Sequence, residues 1–182
     1  MKRTLFAAAV ALCLPACGSG DTVEMENASV AEVANELGKT DASEGFVNPG
    51  QWKQTVTLLE ISAPNMPPQI AEAIKRQTGT SQVHEVCLTP EQARHPREDF
   101  FTGAEKNCRY EHFKWGDGKV DLKLLCKEEQ ATRTMELTGN YQPESYQMAM
   151  TAKTEGGPPA QAVTMKMEVA AERIGECPAK QG

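Results

Sequence analysis

The second half of the chain alternates apolar and polar residues with a period of two, and this pattern constrains the fold more than any other feature. One alternating apolar set is Val120, Leu122, Leu124 and Cys126, and similar sets occupy 135–141, 146–152 and 163–169. Successive side chains of a strand point to opposite faces, so each run predicts a strand with one buried face and one wet face. Such strands are typical of antiparallel sheets.

The first half of the body adds strand-like runs at 52–61, 82–87 and 108–115, and short helical segments at 69–77 and 89–93. A succession of strands without long helices between them excludes a parallel α/β design. We therefore predict a mainly β (α+β) fold. Its core is a curved antiparallel sheet or incomplete β-barrel of about seven strands, with one or two short helices.

The N-terminus has the features of an export signal. A positive Lys2-Arg3 pair precedes a short apolar run that ends in Leu14-Pro15-Ala16-Cys17. The quartet resembles the lipobox of bacterial lipoproteins, which implies that 1–16 is cleaved and that Cys17 carries palmitate or a related acyl chain. Gly18 in the next position resembles an outer-membrane sorting signal, so we expect attachment to the outer membrane facing the periplasm. An ordinary secretory signal with a chance cysteine is the alternative.

The segment that follows is acidic. Residues 18–47 contain seven acidic side chains and one basic side chain, which is typical of a solvated linker. Ser29 and Glu32 have the spacing of a capping box, so we predict a short helix that ends near Gly38 and either docks on the domain or unfolds. The expected organisation is a signal peptide at 1–16, a lipidated acidic tether at 17–47, a β-rich domain at 48–178 and a tail at 179–182.

Four cysteines remain for the body, and an even number in an exported chain predicts two disulfides with three possible connectivities. A three-residue turn at 116–118 would place Trp115 opposite Lys119, and counting back along the hairpin places Cys108 opposite Cys126. This pairing leaves Cys87 to bond with Cys177. The chain has no Cys-x-x-Cys pair, which disfavours a zinc site.

Several short motifs together resemble a bacterial family known as domain of unknown function 3617. The motifs are Gly50-Gln51-Trp52, the Cys-Leu-Thr-Pro-Glu-Gln-Ala stretch from Cys87 to Ala93, Gly139-Asn140-Tyr141 and the Arg-Ile-Gly-Glu-Cys ending from Arg173 to Cys177. The resemblance covers about 48–178. It implies export and paired cysteines, and it implies no activity, ligand or catalytic residue.

The methionines are the best candidates for a binding site. Met148 and Met150 form one Met-x-Met pair, Met165 and Met167 form another, and we expect them on neighbouring strands with all four side chains on the apolar face. Methionine adapts to irregular core gaps, so simple packing is one interpretation. The others are an apolar ligand cavity between the sheet and the helix at 69–77, and a thioether site for Cu(I).

No pattern in the sequence indicates catalysis, and we expect neither an enzyme nor a cofactor. The motifs of common hydrolases, phosphate-binding loops and metalloproteases are absent, and His84, His95 and His112 are scattered. A net charge of −6 argues against a nucleic-acid partner. We expect a non-enzymatic binding or envelope-maintenance module, with Cu(I) binding or structural partnership with another envelope protein as alternatives.

Overall fold

The protein is mainly β, as predicted. A computed structural model describes residues 22–39, 47–64, 66–78, 81–94, 107–156 and 162–178. The strands are β1 Val23–Ser29, β2 Gly50–Ser62, β3 Ser81–Leu88, β4 Cys108–Gly116, β5 Lys119–Lys127, β6 Ala131–Gln142, β7 Ser145–Gly156 and β8 Thr164–Gly175. The helices are α1 Val30–Leu37, α2 Pro68–Thr78 and α3 Pro90–Arg94. The signal segment, Cys17, His95 and the tail at 179–182 lie outside the described residues.

All eight strands belong to one antiparallel sheet in the order β1-β4-β5-β6-β7-β8-β2-β3. The strands from β4 to β8 follow one another as a meander, whereas β2 and β3 lie beyond β8 and break the rising order that a simple succession of strands would give. Strand β2, the first long strand of the chain, pairs with β8, the last strand. Strands β1 and β3 occupy the two edges, and the sheet is open.

The β4–β5 hairpin differs from the predicted register by one residue at its turn. Gly116, rather than Trp115, lies opposite Lys119. The turn contains only Asp117 and Gly118, whose positive φ angles of 52° and 70° are typical of the tight turns that match strand twist.

The predicted disulfide of this hairpin nevertheless forms. A bulge between Tyr110 and His112 shifts the register back by one residue, so Cys108 lies opposite Cys126. Their Cα atoms are 4.0 Å apart and the sulfurs are bonded. The predicted disulfide is therefore confirmed, whereas the predicted turn is wrong. The one-residue shift at the turn and the one-residue shift at the bulge cancel.

The second disulfide joins Cys87 of the edge strand β3 to Cys177, which follows β8, as predicted. All residues of β3 except Leu88 are exposed. This strand is therefore held by its ladder to β2 and by one covalent bond, rather than by burial of its side chains.

The stretch from 23 to 37 is part of the folded sheet, which differs from the acidic tether expected over 17–47. Strand β1 pairs with β4 from Val23, opposite Trp115, to Ser29, opposite Arg109, with an interruption at Asn27, whose φ is 50°. Val23 is buried and Met25 packs against the core, whereas the glutamates between and after them are exposed. The strand replaces much of the predicted linker because it buries one apolar face.

Helix α1 docks on the domain, which decides between the two possibilities left open by the sequence. Its predicted capping box is present: the Ser29 hydroxyl accepts a hydrogen bond from the Glu32 backbone N–H, and the Glu32 carboxylate accepts one from the Ser29 backbone. Val33 is only 3 % exposed and belongs to the core. The helix therefore covers part of the apolar face beside β1 and β4.

The other two helices also follow their sequence signals. Helix α2 spans the predicted segment with one more residue at each end, and it begins at a proline, which suits the first turn of a helix. Helix α3 begins after Thr89, whose hydroxyl accepts from the Gln92 N–H while the Gln92 amide oxygen accepts from the Thr89 N–H. This arrangement is the predicted capping box.

The core lies on one face of the sheet. Its largest fully buried side chains are Trp52, Tyr110, Phe113, Val120 and Leu122. By register these residues stand on the same face as Leu137 and Met148. We call this the apolar face. The opposite, polar face carries ion pairs such as Lys123 with Glu111.

Candidate binding face

The four predicted methionines lie on the adjacent strands β7 and β8 and on the apolar face, as expected. Met150 is directly opposite Met167, whereas Met148 faces Val169 and Met165 faces Ala152. Directly opposed residues of an antiparallel pair hold their Cβ atoms about 4.5–5.5 Å apart. By this register the two Met-x-Met pairs are offset by two residues, which is one side-chain position on the apolar face. We call this set the methionine strip.

Burial changes along the methionine strip. Met148 is 4 % exposed and belongs to the central core. Met150, Met165 and Met167 are only partly buried. The strip therefore begins inside the packed core and continues towards the surface.

Strand β2 extends the same surface. Val56 lies opposite Val169, Leu58 opposite Met167, and Ile61 opposite Met165. These β2 side chains are partly buried, like the methionines that they face. The strands β7, β8 and β2 thus present a continuous apolar surface that their neighbours cover only in part.

Helix α2 is loosely attached to the sheet. It contacts β2, and among its described side chains none is fully buried. Its apolar positions include Ile70, which is 50 % exposed, and the partly buried Ala71 and Ile74. A short amphipathic helix with so little burial receives little stabilisation from packing.

Strand β3 forms the rim of the same face. Its Gln82, His84 and Val86 lie opposite Val56, Gln54 and Trp52, respectively, so they share the apolar face with the methionine strip. All three rim side chains are exposed, and Val86 is 38 % exposed. His84 is therefore exposed even though its register places it on the apolar face.

A groove lies on the opposite, polar face of the sheet, and it was not predicted from the sequence. This groove has a volume of about 550 Å³ and its lining includes Lys53, Thr55, Asn140, Gln147 and Glu172. Within the groove, the Lys53 Nζ atom lies 3.9 Å from the Glu172 Oε1 atom. These residues come together because of how neighbouring strands pair. The alternation within a single strand does not indicate which residues of the next strand lie opposite it.

Burial controls the ionisation of the three tyrosines. It raises the pKa of Tyr110 to about 12, because the phenolate form would lie in a nearly dry core. Burial also raises the pKa of Tyr146, and the hydrogen bond from the Gln54 amide opposes that shift. The pKa of Tyr141 is likewise raised, mainly by burial.

The remaining polar clusters are pairs rather than sites. The His112 Nε2 atom lies 2.9 Å from Asp121 Oδ1 on the polar face. Within the described segments, no group of three or more His, Cys, Asp or Glu side chains is close enough to hold a metal ion. No helix among those same segments is long and apolar enough to cross a bilayer.

Together these features define a small, mainly β domain, built on one open antiparallel sheet and closed by two disulfides. The chain belongs to the family described as protein of unknown function (DUF3617), whose model matches residues 47–177. This confirms the family resemblance found in the sequence motifs. Neither the curated proteins nor the solved structures gave a match. Because the family match begins at 47, β1 and α1 precede the family domain.

Proposed function

We propose that this chain is an exported, lipid-anchored envelope protein that binds a hydrophobic small molecule without catalysing a reaction. The binding surface is the methionine strip with the adjoining side chains of β2. The observation that carries the proposal is the partial exposure of Met150, Met165 and Met167 on the face that otherwise forms the core. A hydrophobic ligand would bury the parts of these methionine side chains that the protein leaves exposed.

The chemistry of the surface suits such a ligand. Methionine is flexible and polarisable, so it adapts to ligands of irregular shape. Small-molecule sites are mostly apolar with few polar groups, and the rim supplies those groups through Gln82 and His84.

A fluorescent apolar probe tests this binding directly. N-phenyl-1-naphthylamine should fluoresce strongly with the protein, and Met167→Gln should weaken probe binding at least about tenfold, since a buried amide without a partner is costly. The matched control is Glu168→Gln on the polar face, which should bind like the parent protein. Absence of probe binding, or equal binding by all three proteins, would refute the proposal.

The envelope assignment rests on the lipobox-like quartet and on the two disulfides. Disulfides persist mainly in oxidising compartments such as the periplasm. Cells fed labelled palmitate should incorporate the label into this protein, and Cys17→Ala should abolish incorporation. Unlabelled parent protein recovered from such cells would remove the anchor from the proposal.

Cu(I) binding is a second candidate because two thioethers face each other. Met150 lies opposite Met167, with Met148 and Met165 at diagonal positions about 7–8 Å away. Thioethers are soft ligands that favour Cu(I). Competition with bicinchoninate in ascorbate, which spares the disulfides, should show binding tighter than micromolar that Met167→Gln abolishes; weaker binding by the parent protein would end this candidate.

Partnership with another envelope protein is a third candidate, favoured by the edge strand β3. Its Val83 is 57 % exposed, and its outer backbone groups have no strand beside them in the described sheet. Edge strands of this kind accept an added strand from a partner. Crosslinking in native membranes should trap a partner through a photoreactive residue at Val83 and not through one at Thr138 on β6.

A further inference from the structure

The chain reaches the sheet at one defined point, the β4–β5 turn. The Thr22 hydroxyl donates to the Asp117 carboxylate over 3.1 Å, and the next residue, Val23, pairs with Trp115 and is 6 % exposed. The backbones are also in close contact, because a Cβ on Gly116 would lie 2.6 Å from the Thr22 Cα atom. Thr22 is therefore fixed beside the turn.

This placement limits how far the domain can stand from its anchor. This limit rests on the proposed acylation of Cys17. Five residue steps separate Cys17 from Thr22. A chain spans at most about 3.6 Å per residue, so the β4–β5 turn lies within about 18 Å of the acylated residue in any conformation of the connecting residues. The acyl chains must lie in the bilayer, so the turn lies near its surface.

The side chains at this end suit a lipid–water interface. The rings of Trp115 and Tyr141 stack with centroids 5.1 Å apart, and both residues are partly buried. The Tyr141 N–H donates to the Gly118 carbonyl over 2.8 Å, which fixes this aromatic pair beside the turn. Tryptophan and tyrosine prefer the interface because each combines an apolar ring with a polar group.

We infer that the β4–β5 turn, together with the Trp115–Tyr141 pair, is the surface that this domain presents to the lipid bilayer holding its anchor. The occupant is the lipid surface itself. The opposite end of the same hairpin is the β5–β6 turn at 128–130, which is separated from Lys119 by the length of β5, about 26 Å. That turn lies away from the bilayer.

Photocrosslinking to lipid tests this orientation. The full-length, acylated protein is inserted into phosphatidylcholine vesicles, with a benzophenone amino acid replacing exposed Lys119 in one variant and exposed Glu129 in the other. We expect at least about fivefold more lipid adduct from position 119, measured by mass spectrometry of peptides. A flexible 20-residue Gly-Ser insertion between Gly20 and Asp21 has a root-mean-square length of about 25 Å and should lower the adduct at 119 to the level at 129.

The possible results separate this inference from the proposal on which it rests. An acylated protein that labels lipid equally from positions 119 and 129 overturns the orientation alone. Undiminished labelling after the Gly-Ser insertion also overturns it, since the short connection would then not determine the contact. A Cys17 without an acyl group overturns both the orientation and the proposed anchor.

Discussion

Gly139 on β6 shows how closely the apolar face is packed at single-residue scale. A Cβ there would lie 2.3 Å from the Gln147 carbonyl oxygen and 2.6 Å from the Met148 sulfur. The carbonyl belongs to the backbone of the neighbouring strand, so Gly139→Ala must push β6 and β7 apart. We predict a loss of about 1–3 kcal/mol in the free energy of unfolding, measured by urea denaturation with the disulfides intact.

The matched control is Gly38→Ala at the end of α1. Gly38 has an ordinary helical φ of −68°, and its nearest neighbour to a new Cβ is a backbone oxygen at 3.4 Å. Alanine fits there and restricts the unfolded chain, so the free energy of unfolding should stay equal or rise by up to about 1 kcal/mol. Similar losses in the two variants would contradict the packing described for Gly139.

The tyrosines predict how stability changes at alkaline pH. Their folded-state pKa values are raised above the ordinary value of 10, and that of Tyr110 to about 12. The folded protein therefore favours the neutral phenol, so this contribution to stability is complete below pH 10 and is lost as the pH rises towards 12. Tyrosinate absorbance should titrate above 10 in the native protein and near 10 in denaturant. Tyr110→Phe should make the alkaline loss shallower; an unchanged loss would contradict this assignment.

At the scale of elements, the two disulfides have different roles. Cys87–Cys177 spans 90 residues and Cys108–Cys126 spans 18. Loop-closure entropy predicts stabilisation of about 4.6 and about 3.2 kcal/mol, respectively. The larger loss should follow removal of the first bond, measured by urea denaturation of the paired Cys→Ser variants.

Hydrogen exchange locates the same effect within the sheet. Without Cys87–Cys177, amide protons of β3 should exchange faster, because exposed β3 loses its one covalent bond to the end of β8 and buries almost no side chain. Without Cys108–Cys126, the change should be centred on β4 and β5 instead. Unchanged protection of β3 in the first variant would show that the bond does not hold this edge.

The sequence predicted the elements that carry a strong local signal. The strands β5 to β8 alternate with a period of two, and the capping boxes of α1 and α3 lie within four consecutive residues. Strand β1 was missed although Val23 and Met25 alternate with glutamates, because its acidity was attributed to a linker. The bulge between Tyr110 and His112 was also missed, since a bulge depends on how two strands fit and not on either strand alone.

For the molecule as a whole, the sequence predicted which face carries the methionine strip, but it did not predict how exposed the strip is or that a polar groove lies on the other face. Alternation placed the four methionines on one face, but their one-position offset required the register of β7 with β8. The partial exposure of the strip depends on which elements pack over β7 and β8, and the polar groove depends on four neighbouring strands. Such long-range arrangements leave no local pattern in a single sequence.

Native mass spectrometry of protein gently extracted from the membranes of its own cells can detect the anchor, the disulfides and the ligand in one spectrum. We expect a chain that begins at acylated Cys17, contains both disulfides, and carries an apolar small molecule that dissociates on collisional activation. The bound molecule should be absent from Met167→Gln and present in Glu168→Gln. A parent chain with no acyl group and no bound molecule would contradict the account of an anchored binding protein.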